Sequence, residues 1–418
     1  ILEEVLYNFH ILDKAHEKQR RHEMTEKVIF VFAFIGLVFL STAQTVKFTP
    51  FDNEKKLIEY GWDSPNIGFV KKSISEMEKK PFDGIIFKLS NNSVSWVFRL
   101  DPIDEKLLEQ DLADAEGIEW NKFTDNFIIL YCASEQDWFN DEHWALITEK
   151  AKKAAKIAKK AGCVGICFDQ EAYGRNPWSF TDSAHVGTKT FTEYEEKVRE
   201  RGAEFMKALE SEFPGLTLLT FFQLSYVQAI LWPMKAELRS DALSKHLYAF
   251  LPAFLNGMLD AISSDAQIVD GNECAYWYND SSNYVGIYNQ IMQRSRPLIA
   301  PENLKKYRQH VQVGQALYID EYYGMRENGL GFHMTNDENN QWMQHNTYWA
   351  LSTSDRYVWC YSEKMNWWTN QNVPPGCENS IRRAKQNLKD AWSGYIRVPT
   401  REVMQDIIKR ATGKKNKK

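Results

Sequence analysis

The amino-acid sequence predicts a (β/α)8 (TIM) barrel of the α/β class with enlarged loops on its C-terminal face. Three observations carry that expectation. After residue 44 the hydrophobic period switches eight times between apolar runs of strand length and longer stretches of helical period. The longest segments with neither period, at 90–122, 172–190 and 224–262, all follow strand-like runs, so in a barrel they gather at the face where sites are built. No Gly-x-Gly-x-x-Gly follows the first run, which counts against a doubly wound dinucleotide-binding sheet.

In chain order, the first strand ends at Tyr60-Gly61-Trp62-Asp63 and the second spans Gly84 to Leu89. The third covers Phe127 to Tyr131, and a helix follows with Asn140 as its cap, Asp141 and Glu142 in its first turn and Gly162 as its stop. Its inward stripe is Trp144, Ile147, Ala151, Ala154, Ala155 and Ala158. The fourth strand is Val164 to Asp169. Thr192 and Glu195 form an expected capping box for the next helix, whose apolar face is Tyr194, Val198, Phe205 and Leu209 and which Pro214-Gly215 ends. Strands five to eight are read at Leu216–Gln223, Gln267–Asp270, Val311–Asp320 and Tyr357–Tyr361. No linker or internal repeat interrupts residues 44–418, which are expected to form one catalytic domain.

The beginning of the chain has a different character. Val28 to Leu40 is an unbroken apolar run of 13 residues, short for a membrane span, followed by Ser41 and Ala43 at signal-peptidase spacing. Residues 24–43 are therefore expected to be a signal peptide cleaved after Ala43, with 1–23 an upstream extension of the gene call. The mature protein is expected to be secreted or periplasmic, with no stable membrane insertion after cleavage. A net charge of −5, with a basic run only at Lys414-Lys415-Asn416-Lys417-Lys418, gives no footprint for nucleic acid. Six scattered cysteines without Cys-x-x-Cys spacing point to neither a disulfide scaffold nor a zinc site, and no metal or cofactor is expected. Cys132, Cys163, Cys167 and Cys360 sit inside apolar runs, as small core residues do.

Acids fall at strand ends. Because side chains alternate along a strand, Gly165, Cys167, Asp169 and Glu171 share one face while Val164, Ile166 and Phe168 share the other. Large aliphatics belong toward the helices, so the two carboxylates point inward, where close acids cannot both ionise freely. A neighbouring cation such as Lys88 could instead neutralise the pair. Asp270 and Glu273 close the sixth strand, Asp320 the seventh and Glu363 the eighth. No Ser or Cys stands beside a plausible base, against nucleophilic hydrolysis of the Ser-His-Asp type.

Aromatic residues reach 14% of the chain, with 14 Trp, 19 Tyr and 24 Phe. Many fall at the same strand ends: Trp62, Tyr173, Trp178, Tyr226, Tyr276, Trp277, Trp359, Tyr361, Trp367 and Trp368. Flat rings beside carboxylates and amides suit sugars, which have apolar faces and hydroxyl rims. The expected substrate contacts are Trp62, Asp63, Tyr173, Gln223, Tyr226, Asp270, Trp277, Asp320, Trp359, Tyr361 and Trp367.

The segments Tyr60-Gly61-Trp62-Asp63-Ser64-Pro65, Pro81-Phe82-Asp83-Gly84, Phe123-Thr124-Asp125-Asn126-Phe127, Phe168-Asp169-Gln170-Glu171 and Ile268-Val269-Asp270-Gly271-Asn272-Glu273 resemble a group of exported bacterial proteins related to barrel glycoside hydrolases. The resemblance runs from about residue 55 to residue 395 and implies the fold and the broad class. Asp169-x-Glu171 is also similar to the end of the chitinase-type motif, in which the Glu is the acid and the neighbouring Asp supports substrate-assisted catalysis; the further upstream acids of that motif are absent, Gly165 and Ile166 standing nearby instead. The expected function is a secreted glycoside hydrolase acting on a polysaccharide or oligosaccharide. Glu171 is its expected general acid/base, Asp169 the partner that shifts its pKa, and Glu273 or Glu363 the second carboxylate. A barrel that binds glycans without cleaving them and a barrel polysaccharide lyase or metal-dependent hydrolase are the alternatives.

Overall fold

The computed structural model of the protein describes residues 55–132, 137–230, 235–390 and 405–409. These fall in one compact unit, Asn53–Lys418. The expected signal segment, the extension before it and the Lys-rich tail lie outside the described residues.

Strands β1 (Lys56–Gly61), β2 (Gly84–Phe87), β3 (Phe127–Tyr131), β4 (Gly165–Asp169), β5 (Thr217–Thr220), β6 (Gln267–Asp270), β7 (Val311–Val313), β8 (Gln315–Tyr318) and β9 (Tyr357–Ser362) pair in parallel in the order β7-β6-β5-β4-β3-β2-β1-β9-β8. The seventh predicted run is thus two short strands separated by Gly314. β7 pairs with β6, whereas β8 pairs with β9. Since Gly314 alone joins them, and its N–H still donates to the Asp270 carbonyl at 2.8 Å, the chain itself links the two edges of the sheet. The result is an eight-stave barrel built from nine strands. The run does not continue as strand to Asp320: Ile319–Tyr322 coils into a short helical turn, which re-aims Asp320.

Helices α1 (Ile67–Met77), α2 (Glu105–Ala115), α3 (Asp141–Lys160), α4 (Phe191–Glu212), α5 (Leu251–Ala261), α6 (Leu304–His310), α7 (Asn336–Thr353) and α8 (Cys377–Lys389) alternate with the staves. α3 starts as its sequence predicts, with the Asn140 side chain accepting the His143 N–H at 2.9 Å, and its Trp and Ala stripe is buried. α4 is capped two residues earlier than predicted. Its capping box is Thr190 with Glu193, because that start places both Phe191 and Tyr194 on the buried side. Glu195 is left half-buried on the helix, where desolvation, reinforced by Glu196, raises its pKa to about 7.

Between staves and helices lies an apolar layer in which Phe168 of β4 packs on Phe205 and Phe254, with ring centroids 5.0 and 6.2 Å away. Trp178 belongs to this layer and not to the mouth: it is fully buried, and its indole N–H donates to the Gln170 carbonyl at 2.9 Å. All four cysteines expected in the core are buried. With Phe168 turned outward, Cys167 and Asp169 point into the barrel, as strand alternation requires.

α4 and α5 pack backbone to backbone across paired glycines. A Cβ on Gly257 would stand 1.9 Å from the Arg199 carbonyl oxygen, and one on Gly202 2.3 Å from that of Phe254. Gly257→Ala should therefore push the two helices apart and destabilise the fold by about 2–3 kcal/mol, the usual scale of overpacking. Urea unfolding of the variant measures it, and an unchanged midpoint would show that these helices do not need the close approach.

Candidate active site

Asp169 ends β4 with its side chain fully buried at the top of the barrel axis. It accepts the Glu171 N–H at 2.8 Å and the Tyr173 hydroxyl at 3.3 Å. The same hydroxyl also donates to Glu171, so one tyrosine spans both acids. Burial, reinforced by the Glu171 charge, raises the Asp169 pKa well above the carboxylate range.

Glu273 arrives from the neighbourhood of β6 by a local device. After Asp270 the chain turns through Gly271 and through Asn272, which adopts the left-handed φ of 45°, and enters a short 3-10 turn at Glu273–Trp277. Asn272 is held there by its amide, which donates to the Gln315 side chain at 2.7 Å. The turn lifts Glu273 into the cleft, where its carboxyl carries no hydrogen bond or ion pair among the described residues. Burial first, then the charges of Glu171 and Asp169, push its pKa up to about 9. No ion pair among the described residues reaches Asp169, Glu171 or Glu273, so Lys88 does not neutralise them.

Glu171 and Glu273 border a cleft of about 330 Å³. Its floor is a stack of rings from β9 and from the segments after β5 and β6: Phe221 lies on Trp359 at 4.2 Å, and Tyr276 lies on Tyr361 at 5.6 Å with planes 7° apart. Tyr60 and Tyr318 complete the floor, Tyr60 4.8 Å from Phe221. Trp62, Tyr173 and Trp277 form an open rim, 67%, 50% and 61% exposed. Glu363 also borders the cleft, but it is taken up by an ion pair with Arg326 and by the Tyr318 hydroxyl at 3.1 Å.

Of the residues expected from sequence, the cleft brings together Glu171, Glu273, Glu363, Trp62, Tyr173, Trp277, Trp359 and Tyr361, with Asp169 beneath them. Tyr226 stands outside this lining but close enough that Glu273 and Glu171 raise its pKa, after burial. Asp63, Gln223, Asp270, Asp320 and Trp367 do not line it. Asp270 instead accepts Ser225 N–H at 2.8 Å, Ser225 O–H at 2.5 Å and Gln223 N–H at 3.1 Å, pinning the loop after β5. Asp320 accepts the N–H groups of Glu363 and Lys364 at 2.5 and 3.1 Å, and Asp63 accepts that of Trp367 at 2.7 Å. Gln223 and Trp367 are buried. Tyr60, Phe221, Tyr276, Tyr318 and Arg326 line the cleft without having been expected as catalytic or substrate contacts. Tyr60, Phe221 and Tyr318 share the inward parity of their strand-like runs and were legible by it, Tyr276 follows the sixth run, and Arg326 sits in a loop with no spacing signal.

No protein-family model matches the chain, and no characterised protein matches it by sequence. Its solved structural neighbours include glycoside hydrolases. A mutant O-GlcNAc hydrolase from Thermobaculum terrenum aligns over 88% of this chain and 64% of its own length, at 9% identity and a TM-score of 0.42. An endo-beta-mannanase/endo-beta-glucanase from Prevotella bryantii aligns over 81% and 49%, at 11% identity and 0.42. A chitinase from Pseudoalteromonas aurantia aligns over 79% and 100%, at 11% identity and 0.39. The chain thus spans less than two thirds of the first of these, and the chemistry of its cleft has to be read from its own residues.

Glu273 makes the site costly at high pH. Its folded pKa of about 9 lies above the unfolded carboxylate value, so the folded chain keeps a proton that the unfolded chain loses. Stability should fall as pH rises from roughly 4.5 toward 9, by up to about 1 kcal/mol per unit. Glu273→Gln should remove that slope, and denaturant unfolding across the range would show the variant gaining on wild type as pH rises. Parallel curves would refute the raised pKa.

Proposed function

We propose that the protein is a glycoside hydrolase that cleaves a polysaccharide or oligosaccharide by paired carboxyl chemistry. The observation that carries this is the pair Glu171 and Glu273, two acids in one aromatic-floored cleft whose surroundings differ. Glu273 stays protonated through neutral pH and makes no hydrogen bond within the protein, so its proton is available to a leaving glycosidic oxygen. Glu171 accepts the Tyr173 hydroxyl, as a carboxylate does, and acts from the cleft as base or nucleophile. This exchanges the donor role expected from sequence, where Glu171 was to supply the proton. Asp169 and Tyr173 are positioning residues: one receives the Glu171 backbone amide, the other fixes its carboxylate.

The stacked floor supports the same assignment. Apolar ring faces take up the axial C–H face of a pyranose, while the acids and tyrosine hydroxyls meet its equatorial hydroxyls. A charge-separated transition state next to neutral rings is screened little by solvent, which strengthens the carboxylate's hold on it. Among the described residues no helix is long and apolar enough to cross a membrane. Export follows as part of the proposal, from the apolar run and Ala43 site, and the secreted form should begin at Gln44.

A panel of plant, algal and host glycans, read by release of reducing sugar, tests the assignment. Glu171→Gln and Glu273→Gln should each lower kcat/KM by about 10²–10⁴-fold with unaltered circular dichroism. The wild-type profile of kcat/KM should lose activity along an alkaline limb near the Glu273 pKa of about 9. Near wild-type turnover by either variant would overturn the assignment.

A further inference from the structure

Beside the cleft lies a larger hollow of about 650 Å³, formed by the segment after β8 and walled by Glu321, Met325, Asn328, Leu330 and Lys364. Trp277 and Arg326 line both spaces, so the two are neighbours across a single indole and a single guanidinium. Trp277 is 61% exposed, with its ring edge-on to Tyr318 at 6.0 Å, and its face is open to a ligand.

The polar atoms of the hollow are incompletely used. Glu321 is 4% exposed; one carboxylate oxygen accepts the Leu330 N–H at 2.9 Å, while Oε2 is buried without a protein partner. Arg326 Nε is likewise buried and unpartnered, although its Nη2 is committed to Glu363. One needs a donor, the other an acceptor, and buried groups of this kind are rarely left unpaired. A sugar hydroxyl both donates and accepts, so it can meet either need. Lys364 adds an ammonium with no ion pair among the described residues, and Glu327 an unpaired carboxylate, so the wall is mixed in charge and suits a neutral polyhydroxylated ring better than an anion.

We infer that this hollow is a second sugar subsite, in which the next ring of the same glycan chain stacks on Trp277 and hydrogen-bonds to Arg326 and Glu321. The inference rests on the glycosidase assignment for its ligand class and adds the direction in which the chain runs: from the acids at the barrel axis outward over β8. A substrate then spans at least two rings, and the site selects chains over single-ring glycosides.

Chain-length dependence tests it. Glu171→Gln protein is titrated calorimetrically with oligosaccharides, from monosaccharide to hexasaccharide, of whichever polymer wild type cleaves; if it cleaves none, chito-, cello-, manno- and xylo-oligosaccharides are used. Affinity should rise at least about tenfold from monosaccharide to trisaccharide. Asn328→Trp in the same background, which fills the hollow from an exposed loop position, should remove most of that gain, and Lys364→Ala should lower it severalfold with the fold intact by thermal melt. A gain abolished by Asn328→Trp supports the subsite, with or without turnover by wild type. Affinity independent of length, or a gain that Asn328→Trp leaves whole, overturns it while hydrolysis by wild type keeps the glycosidase assignment. Neither binding nor cleavage of any glycan overturns both.

Discussion

Carboxylates in a poorly solvated space repel one another, and the mouth of this barrel holds Asp169, Glu171 and Glu273 close together with no ion-pairing cation among the described residues. Water would ordinarily dissipate that repulsion. Here burial withdraws the water, so protons must replace it, and the acids are forced into unequal states. The inequality is built by position: Asp169 lies deepest, Glu171 is tethered by a tyrosine, and Glu273 stands without a partner. Everything proposed about the chemistry depends on this division.

Holding three acids together calls for rigid loops, and a different set of acids provides the rigidity. Asp270 and Asp320 accept two or three backbone N–H groups and Asp63 accepts one, and each joins segments far apart in sequence. A carboxylate satisfying two or three amides is a strong anchor. The mouth is consequently laced crosswise: β1 to the segment after β9, β6 to the segment after β5, β8 to the segment after β9. Closure of the wall through Gly314 completes the frame, since an open sheet would leave β7 and β8, with the loops they carry, free to separate.

Much of this was legible in the chain. Strand parity alone placed Asp169 inward and Phe168 outward, because a period of two leaves no other choice once one face is known. The helix caps were legible to within two residues, and the shift at Thr190 arose because Thr-x-x-Glu occurs twice in succession, with only packing to choose between them. Asp63, Asp270 and Asp320 defeated the same reasoning. An acid at a strand end looks identical in sequence whether it meets a ligand or an orphan amide, and the amides that decide the matter lie up to 304 residues away. Trp367 and Trp178 were misplaced for a related reason: an indole can cap a core as readily as it can receive a sugar, and sequence proximity to a strand end does not distinguish the two.

The two uses of tryptophan have an optical consequence. Trp144, Trp178, Trp342 and Trp367 are buried away from the cleft, whereas Trp62 and Trp277 meet solvent at the rim. The first group emits from a medium that cannot relax around the excited indole, and the second from one that can. A soluble collisional quencher therefore extinguishes the red edge of the emission and spares the blue. Anything that settles across the mouth would shelter that red component, so the protein carries its own reporter of occupancy without a label.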